Sequence, residues 1–91
     1  DLSDQTRNDN DLRRQKGRII GENGRTRELM EELSGAAVVI YGSTVGIIGD
    51  AEEVSAVRRA VGMILDGAPH GAVYAFLEDK HRELTRGPDL T

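Results

Sequence analysis

The sequence has no cysteine, only three aromatic residues, and no apolar run as long as a membrane span. Without cysteine there is neither a disulfide framework nor a thiolate metal site, so we interpret the chain as an intracellular, cytoplasmic protein. So few aromatic residues argue against recognition folds that stack successive bases on exposed rings. No signal-peptide pattern opens the chain, and we expect no membrane contact.

No constellation of catalytic residues is visible. The acid pair Glu31-Glu32 falls on a predicted helical face and is typical of a solvated surface. The two histidines, His70 and His81, are eleven positions apart without the spacing of metal ligands, and we expect both to be solvated. We therefore predict no enzymatic activity, no catalytic residue, no metal, no cofactor and no small-molecule substrate.

The charge is unevenly distributed along the chain. The net charge is −4, yet residues 13–27 hold six basic residues and one acid, Glu22, for a net charge of +5. The rest of the chain holds six basic residues and fifteen acids, for a net charge of −9. The basic residues of this window are Arg13, Arg14, Lys16, Arg18, Arg25 and Arg27. Such a concentration of one sign predicts a patch for an anionic partner.

Helical patterns flank the glycine-rich stretch "GRIIGENGRT". A short helix is predicted before it, starting near Asp11, which is a fair N-cap. A second helix is predicted after it, because Leu29, Met30 and Leu33 share one face. Gly35 supplies the stop of this second helix.

A β-hairpin is predicted next. Two β-branched runs, 37–41 and 44–48, flank the dipeptide Gly42-Ser43. Glycine at the first central position suits a two-residue type II′ turn, which joins antiparallel strands.

Two further helices are predicted in the last part of the chain. Asp50 and Glu53 form a capping-box pattern at the start of a long helix. After the break "DGAPHG", the segment "AVYAFLEDKHREL" carries an apolar stripe, so we expect a helix packed on the domain through Val73, Phe76 and Leu77. We divide the chain into four segments. Residues 1–10 are a flexible N-terminal segment that holds at most the end of a first strand, and residues 11–67 are the core. Residues 68–86 are a helical extension, and residues 87–91 are a tail.

The glycine spacing distinguishes between several phosphate-binding loops. A dinucleotide fingerprint would need glycine where Ile19 stands, and no Gly-Lys-Ser or Gly-Lys-Thr of a Walker loop occurs. Gly21 and Gly24 instead lie between two predicted helices, where glycine permits a sharp turn and close approach of a sugar–phosphate backbone. The start of the second helix favours a phosphate there. This Ile-Ile-Gly-x-x-Gly pattern resembles the clamp loop of a KH domain, which holds about four single-stranded nucleotides.

The stretches "GRIIGENGRTRELMEEL" and "LDGAPHGAVYAFLE" resemble the second KH domain of the archaeal Krr/Pno (Dim-type) ribosome-biogenesis proteins. The resemblance runs from about Asp11 to Arg86. It implies an α+β fold, a type I KH domain of order (β)ααββα with the first strand largely missing, plus a C-terminal helix. It also implies a preceding degenerate KH domain, so we expect this chain to be a fragment of a longer protein.

The resemblance implies binding of single-stranded RNA, namely the 3′ end region of small-subunit rRNA, in concert with the endonuclease that trims it. The clamp would be Gly21, Glu22, Asn23 and Gly24. The basic residues beside it would be Arg14, Lys16, Arg18, Arg25 and Arg27. The apolar floor under the bases would be Ile20, Val39, Ile40 and Tyr41.

A second interpretation stays open at this point. Glu22 places a negative charge in the clamp, and the chain as a whole is acidic. Both features favour a protein-docking platform of a ribosome-assembly complex, with weak intrinsic affinity for RNA. The basic window and the glycine pair favour the RNA-binding module.

Overall fold

The computed structural model describes residues 1–86, within which helices pack on one face of a two-stranded sheet. The helices and strands are α1 (Asp9–Ile20), α2 (Arg25–Ser34), β1 (Ala37–Tyr41), β2 (Thr44–Ile48), α3 (Ala51–Leu65) and α4 (His70–Arg86). Short 3-10 turns cover Leu2–Gln5 and Glu22–Gly24. The predicted order ααββα followed by a further helix is confirmed, whereas the predicted tail, 87–91, lies outside the described residues. No helix within residues 1–86 is long and apolar enough to cross a bilayer.

The hairpin has the predicted strands and turn. β1 pairs with β2 in antiparallel register, from Ala37 opposite Ile48 to Tyr41 opposite Thr44. Gly42 has φ +56°, as the first central residue of a type II′ turn requires. The pairing follows from two β-branched runs joined by a two-residue turn, whose backbone matches the right-handed twist of the paired strands.

The two faces of β1 have different surroundings. Val38 is 1% exposed and Ile40 packs against the core, so this face is turned toward the helices. On the opposite face Val39 is 43% and Tyr41 65% exposed, and Ile48 of β2 is 68% exposed. Alternation along the strand points Tyr41 away from the helices, so its ring is not half-buried by packing.

The start of α1 differs from the prediction. The helix begins at Asp9, and Asn8 is the N-cap, since its side chain accepts from the Asp11 N–H at 2.9 Å. Asp11 lies inside the first turn, where its carboxylate accepts from Arg14 at 2.6 Å and from the Arg7 N–H at 3.0 Å. These hydrogen bonds, that from Arg14 first, lower the pKa of Asp11. The predicted cap at Asp11 is therefore wrong by three residues.

The first residues contact the hairpin. Leu2 is 4% exposed and belongs to the core, and its N–H donates to the Ser43 carbonyl oxygen at 2.6 Å. The sequence pattern did not predict this burial, because a lone leucine in a polar stretch has no periodicity. The division of the chain at residues 10, 67 and 86 stays a prediction.

One core joins α1, α2, β1, α3 and α4. Its fully buried large side chains include Ile19, Met30 and Ile64, together with Val73 and Leu77 of α4. The predicted packing of the last helix through its apolar stripe is confirmed. Because α4 shares this core, its first turn has a fixed position beside the glycine loop.

Candidate nucleic-acid interface

The loop between α1 and α2 has a backbone that requires glycine. Gly21, Asn23 and Gly24 have φ values of +79°, +56° and +74°. A Cβ at Gly21 would lie 2.2 Å from Thr26 Oγ1, so this position has neither the φ nor the space for a side chain. A Cβ at Gly24 would meet nothing within 4 Å, so Gly24 faces open space. The loop thus presents its main chain to solvent at Gly24.

The N-terminus of α2 follows the loop directly. Gly24 is the N-cap, and no side chain caps the helix. The backbone N–H of Arg25 donates to the Glu22 carbonyl oxygen, which closes the turn. The first amides of an uncapped helix and the positive end of its dipole favour an anion. This end of α2 is therefore a suitable place for a phosphate.

Two of the predicted basic residues are exposed beside this end of α2, and one acidic residue near them lowers the local positive charge. Arg25 and Arg27 are exposed, as is Glu22 in the loop. Arg25 lies 4.0 Å from Glu28, and both side chains are 62% exposed. An exposed pair at that distance is worth little, so the Arg25 guanidinium remains available to a ligand.

An open depression of about 440 Å³ lies along α1 next to the loop. Its lining residues are Asp9, Leu12, Arg13, Lys16, Gly17 and Ile20. The structure thus brings Lys16 and Ile20, both predicted site residues, to one surface. Leu12 and Gly17 were not predicted, and Arg13 was predicted only as part of the basic window. The i, i+4 rows 12-16-20 and 9-13-17 are the sequence signal that identifies them.

The other two predicted basic residues have partners within the protein. Arg14 pairs with Asp11 at 2.6 Å. Arg18 is half-buried, and its guanidinium donates to the Ile64 carbonyl oxygen at 2.6 Å and to the Ala68 carbonyl oxygen. The Arg14 side chain is still 63% exposed, so the internal hydrogen bonds reduce the basic surface chiefly at Arg18. A role in RNA binding for these two residues stays a prediction.

The predicted floor is divided between two surfaces. Ile20 lines the depression on α1, whereas Val39, Ile40 and Tyr41 do not line it. Val39 and Tyr41 lie on the outer face of the sheet, and Ile40 faces the core. The part that the strand plays in a base-binding surface stays a prediction.

The first turn of α4 lies beside the glycine loop, and His70 and Tyr74 line one open depression together with Gly21, Glu22 and Arg25. His70 Nε2 is 2.8 Å from the Arg18 carbonyl oxygen, and the Tyr74 hydroxyl is 2.8 Å from Thr26 Oγ1. Farther along, His81 Nδ1 is 3.2 Å from the Leu33 carbonyl oxygen. The expectation that both histidines are solvated is wrong, since each is half-buried against the end of another helix. Contacts across about fifty residues leave no local pattern in the sequence.

The described residues hold no group of three His, Asp or Glu side chains that would bind a metal ion. The chemistry of the site is that of amides, arginines and an apolar depression. Such a surface is chemically suited to phosphates and bases.

Comparison with known proteins identifies the family. The family model for the second KH domain of Pno1 proteins, described as a eukaryotic-type KH domain (KH domain type I), matches residues 1–82. A KH domain-containing protein of Methanocaldococcus jannaschii is 44% identical over 94% of this chain and 38% of its own length. The pre-rRNA-processing protein pno1 of Emericella nidulans is 39% identical over 72% of this chain and 26% of its own.

A solved structure supports the same assignment. The crystal structure of an a/eIF2α–aDim2p–rRNA complex from Pyrococcus horikoshii contains a chain that is 43% identical and superposes with a TM-score of 0.82. The match covers 90% of this chain and 44% of that one. The chain thus spans less than half the length of these relatives. With its α+β order and its glycine loop between two helices, it belongs to the Pno1/Dim2 family of type I KH domains.

Proposed function

We propose that this chain is a single-stranded RNA-binding KH module that binds the 3′ end region of small-subunit rRNA during ribosome maturation. The observation that carries the proposal is the open loop at Gly24, followed by an uncapped helix N-terminus with Arg25 and Arg27 beside it. The clamp comprises 21–24, and the depression on α1 receives bases against Leu12 and Ile20. The chain acts in the cytoplasm by binding and not by catalysis.

The relatives support both the ligand and the process. One relative is named as a pre-rRNA-processing protein, and the solved complex contains rRNA together with a/eIF2α. We extend the proposal to partners of the same process, namely small-subunit rRNA and the endonuclease that trims it. Because this chain covers less than half of each relative, these partners belong to the proposal for the longer protein.

A second candidate function is a protein-docking platform with weak intrinsic affinity for RNA. It is favoured by the exposed apolar face of the hairpin, where Val39, Tyr41 and Ile48 are 43%, 65% and 68% exposed. An apolar patch of this kind is typical of a protein contact. Because the acidic Glu22 also makes the glycine loop a candidate protein contact, one substitution in that loop separates the two functions.

The salt dependence of RNA binding tests the clamp. If about three to five phosphates are contacted, log affinity for single-stranded RNA should fall with log salt at a slope of about −0.7 per contact. The measurement is a titration of the chain with the 3′ end of small-subunit rRNA at several salt concentrations. A duplex of the same sequence is the control. Preference for the duplex, or affinity that is independent of salt, would contradict the clamp.

Reversal of the loop charge separates the two candidate functions. Glu22→Lys should tighten RNA binding several-fold and steepen the salt slope by about one contact, because the exposed carboxylate lies beside the proposed phosphate. If Glu22 faces a protein, RNA affinity should stay unchanged and binding to a partner such as a/eIF2α should weaken. Both affinities are therefore measured for the same variant.

The control for this experiment is Glu83→Lys, which changes the net charge equally. Glu83 is exposed and thirteen residues from His70 on α4, about 20 Å along the helix, which exceeds the Debye length of about 8 Å at physiological salt. Its effect on RNA affinity should be small. An equal gain from both variants would show that only net charge matters and would argue against a specific clamp.

A further inference from the structure

The first turn of α4 holds the glycine loop from both sides. His70 Nε2 donates to the Arg18 carbonyl oxygen, three residues before Gly21, because a carbonyl oxygen accepts only. The Tyr74 hydroxyl shares a hydrogen bond with Thr26, two residues after Gly24. His70 and Tyr74 are four residues apart on one helical face, with ring centroids 6.0 Å apart. One turn of helix thus bridges the end of α1 and the start of α2.

The contact at Thr26 reaches the loop itself. Thr26 is 1% exposed, and its hydroxyl occupies the space that a Cβ at Gly21 would need. Its hydrogen bond with Tyr74, at 2.8 Å, fixes the orientation of that hydroxyl. A rotation of the Thr26 side chain would change the packing against Gly21. The Tyr74 hydroxyl therefore acts on the loop through one intermediate side chain.

The contact at Arg18 is reinforced by its side chain. While the Arg18 carbonyl accepts from His70, the guanidinium donates to the carbonyl oxygen of Ile64, at the end of α3, and to that of Ala68, in the connection to α4. A cation at the carboxyl end of a helix also interacts favourably with the helix dipole. The last turn of α1 is thereby fixed to the connection between α3 and α4 by three hydrogen bonds.

The helix that makes these contacts is itself anchored. Val73 and Leu77, on the adjoining face of α4, are both 0% exposed in the core. His70 and Tyr74 therefore project from a rigid element. A loop held in its binding conformation before the ligand arrives avoids part of the entropy that binding otherwise costs.

We propose that His70 and Tyr74 are positioning residues of the RNA clamp, through which α4 holds the glycine loop in its phosphate-binding conformation. The inference rests on the proposed RNA-binding function. Their hydrogen bonds go to the Arg18 carbonyl oxygen and to Thr26, so their removal should weaken binding without removing a cation that contacts phosphate.

The first test removes single hydrogen bonds. Tyr74→Phe deletes one hydroxyl, and it should weaken single-stranded RNA binding about fivefold, the factor that one neutral hydrogen bond represents. The slope of log affinity against log salt should stay unchanged, because no cation that contacts phosphate is lost. Thr26→Val should have the same effect, and the double variant should lose no more than either single variant.

The second test uses the two histidines as a matched pair. His70→Leu should weaken RNA binding about fivefold, and His70→Gln, which restores an N–H at similar reach, should recover most of it. His81→Leu removes a comparable bond from the same helix to the Leu33 carbonyl, far from the loop. It should leave RNA affinity unchanged. Thermal melting of each variant shows whether the fold is retained.

The outcomes separate this inference from the proposed function. Absence of single-stranded RNA binding by the unaltered chain would overturn the proposed function, and the inference with it. RNA binding by the unaltered chain with full affinity in folded Tyr74→Phe and His70→Leu variants would overturn the inference alone. Equal losses in His70→Leu and His81→Leu would also overturn it, since a general loss of stability would then explain both. If one of these variants unfolds, Thr26→Ser takes its place, because serine keeps the hydroxyl that bonds Tyr74. Amide exchange at Gly24 and Arg25 in this variant should then match that of the unaltered chain, and faster exchange would overturn the inference.

Discussion

Substitution of Gly24 by aspartate should reduce affinity for single-stranded RNA by about 100-fold. The added carboxylate would stand at the uncapped start of α2, where the proposed phosphate lies. Two like charges about 4 Å apart repel by roughly 4 kcal/mol at a protein surface before salt screens them. Because a Cβ at Gly24 meets nothing within 4 Å, the side chain itself fits. The cost to folding is limited to the φ of +74°, which a non-glycine residue adopts at about 1–2 kcal/mol.

Gly24→Asn is the matched control for this prediction. Asparagine has the shape of aspartate and an equal tolerance for positive φ, but it carries no charge. It should therefore cost a similar amount of stability and only several-fold in RNA affinity. The difference between the two variants measures the electrostatic part alone. Equal RNA affinity in the folded Asp and Asn variants would mean that no phosphate approaches Gly24.

The elements that the sequence predicts well are those with local causes. β1 and β2 have the predicted bounds because two β-branched runs and a glycine turn specify a hairpin without help from the rest of the chain. The capping box of Asp50 and Glu53 is present in both of its hydrogen bonds. The conformation of Gly21 and Gly24 also has a local cause, since positive φ at both is a property of the turn.

The features that sequence reasoning missed are contacts between distant segments. Leu2 is buried in the core, and its N–H donates to the Ser43 carbonyl oxygen in the hairpin turn. His70 and Tyr74 form hydrogen bonds with residues about fifty positions away. A count of charges also overstates the basic surface, because the Arg18 guanidinium is bonded to backbone carbonyl oxygens within the protein. Whether an arginine faces a ligand or a helix end depends on tertiary packing, which periodicity does not encode.

The position of α4 leads to the last prediction. The sequence divides the chain into a core, 11–67, and an extension, 68–86, which would unfold separately if the division were physical. In the structure Leu77 is 0% exposed in the same cluster as Ile19, Met30 and Ile64. A side chain buried among α1, α2 and α3 residues couples the last helix to all of them. We therefore expect one cooperative unit.

Leu77→Ala should lower the free energy of unfolding by about 2–5 kcal/mol, as for other large-to-small changes in a core. For a domain of this size the loss is a large share of a total of about 5–15 kcal/mol, and the melting temperature should fall by more than about 10 °C. Glu78→Ala, an exposed neighbour on α4, is the control and should change the melting temperature little. Amide exchange should accelerate in α1 and α3 as well as in α4, because the variant weakens a shared core. Acceleration confined to α4 would instead make this helix a separate extension, and it would then be too mobile to hold the clamp loop in place.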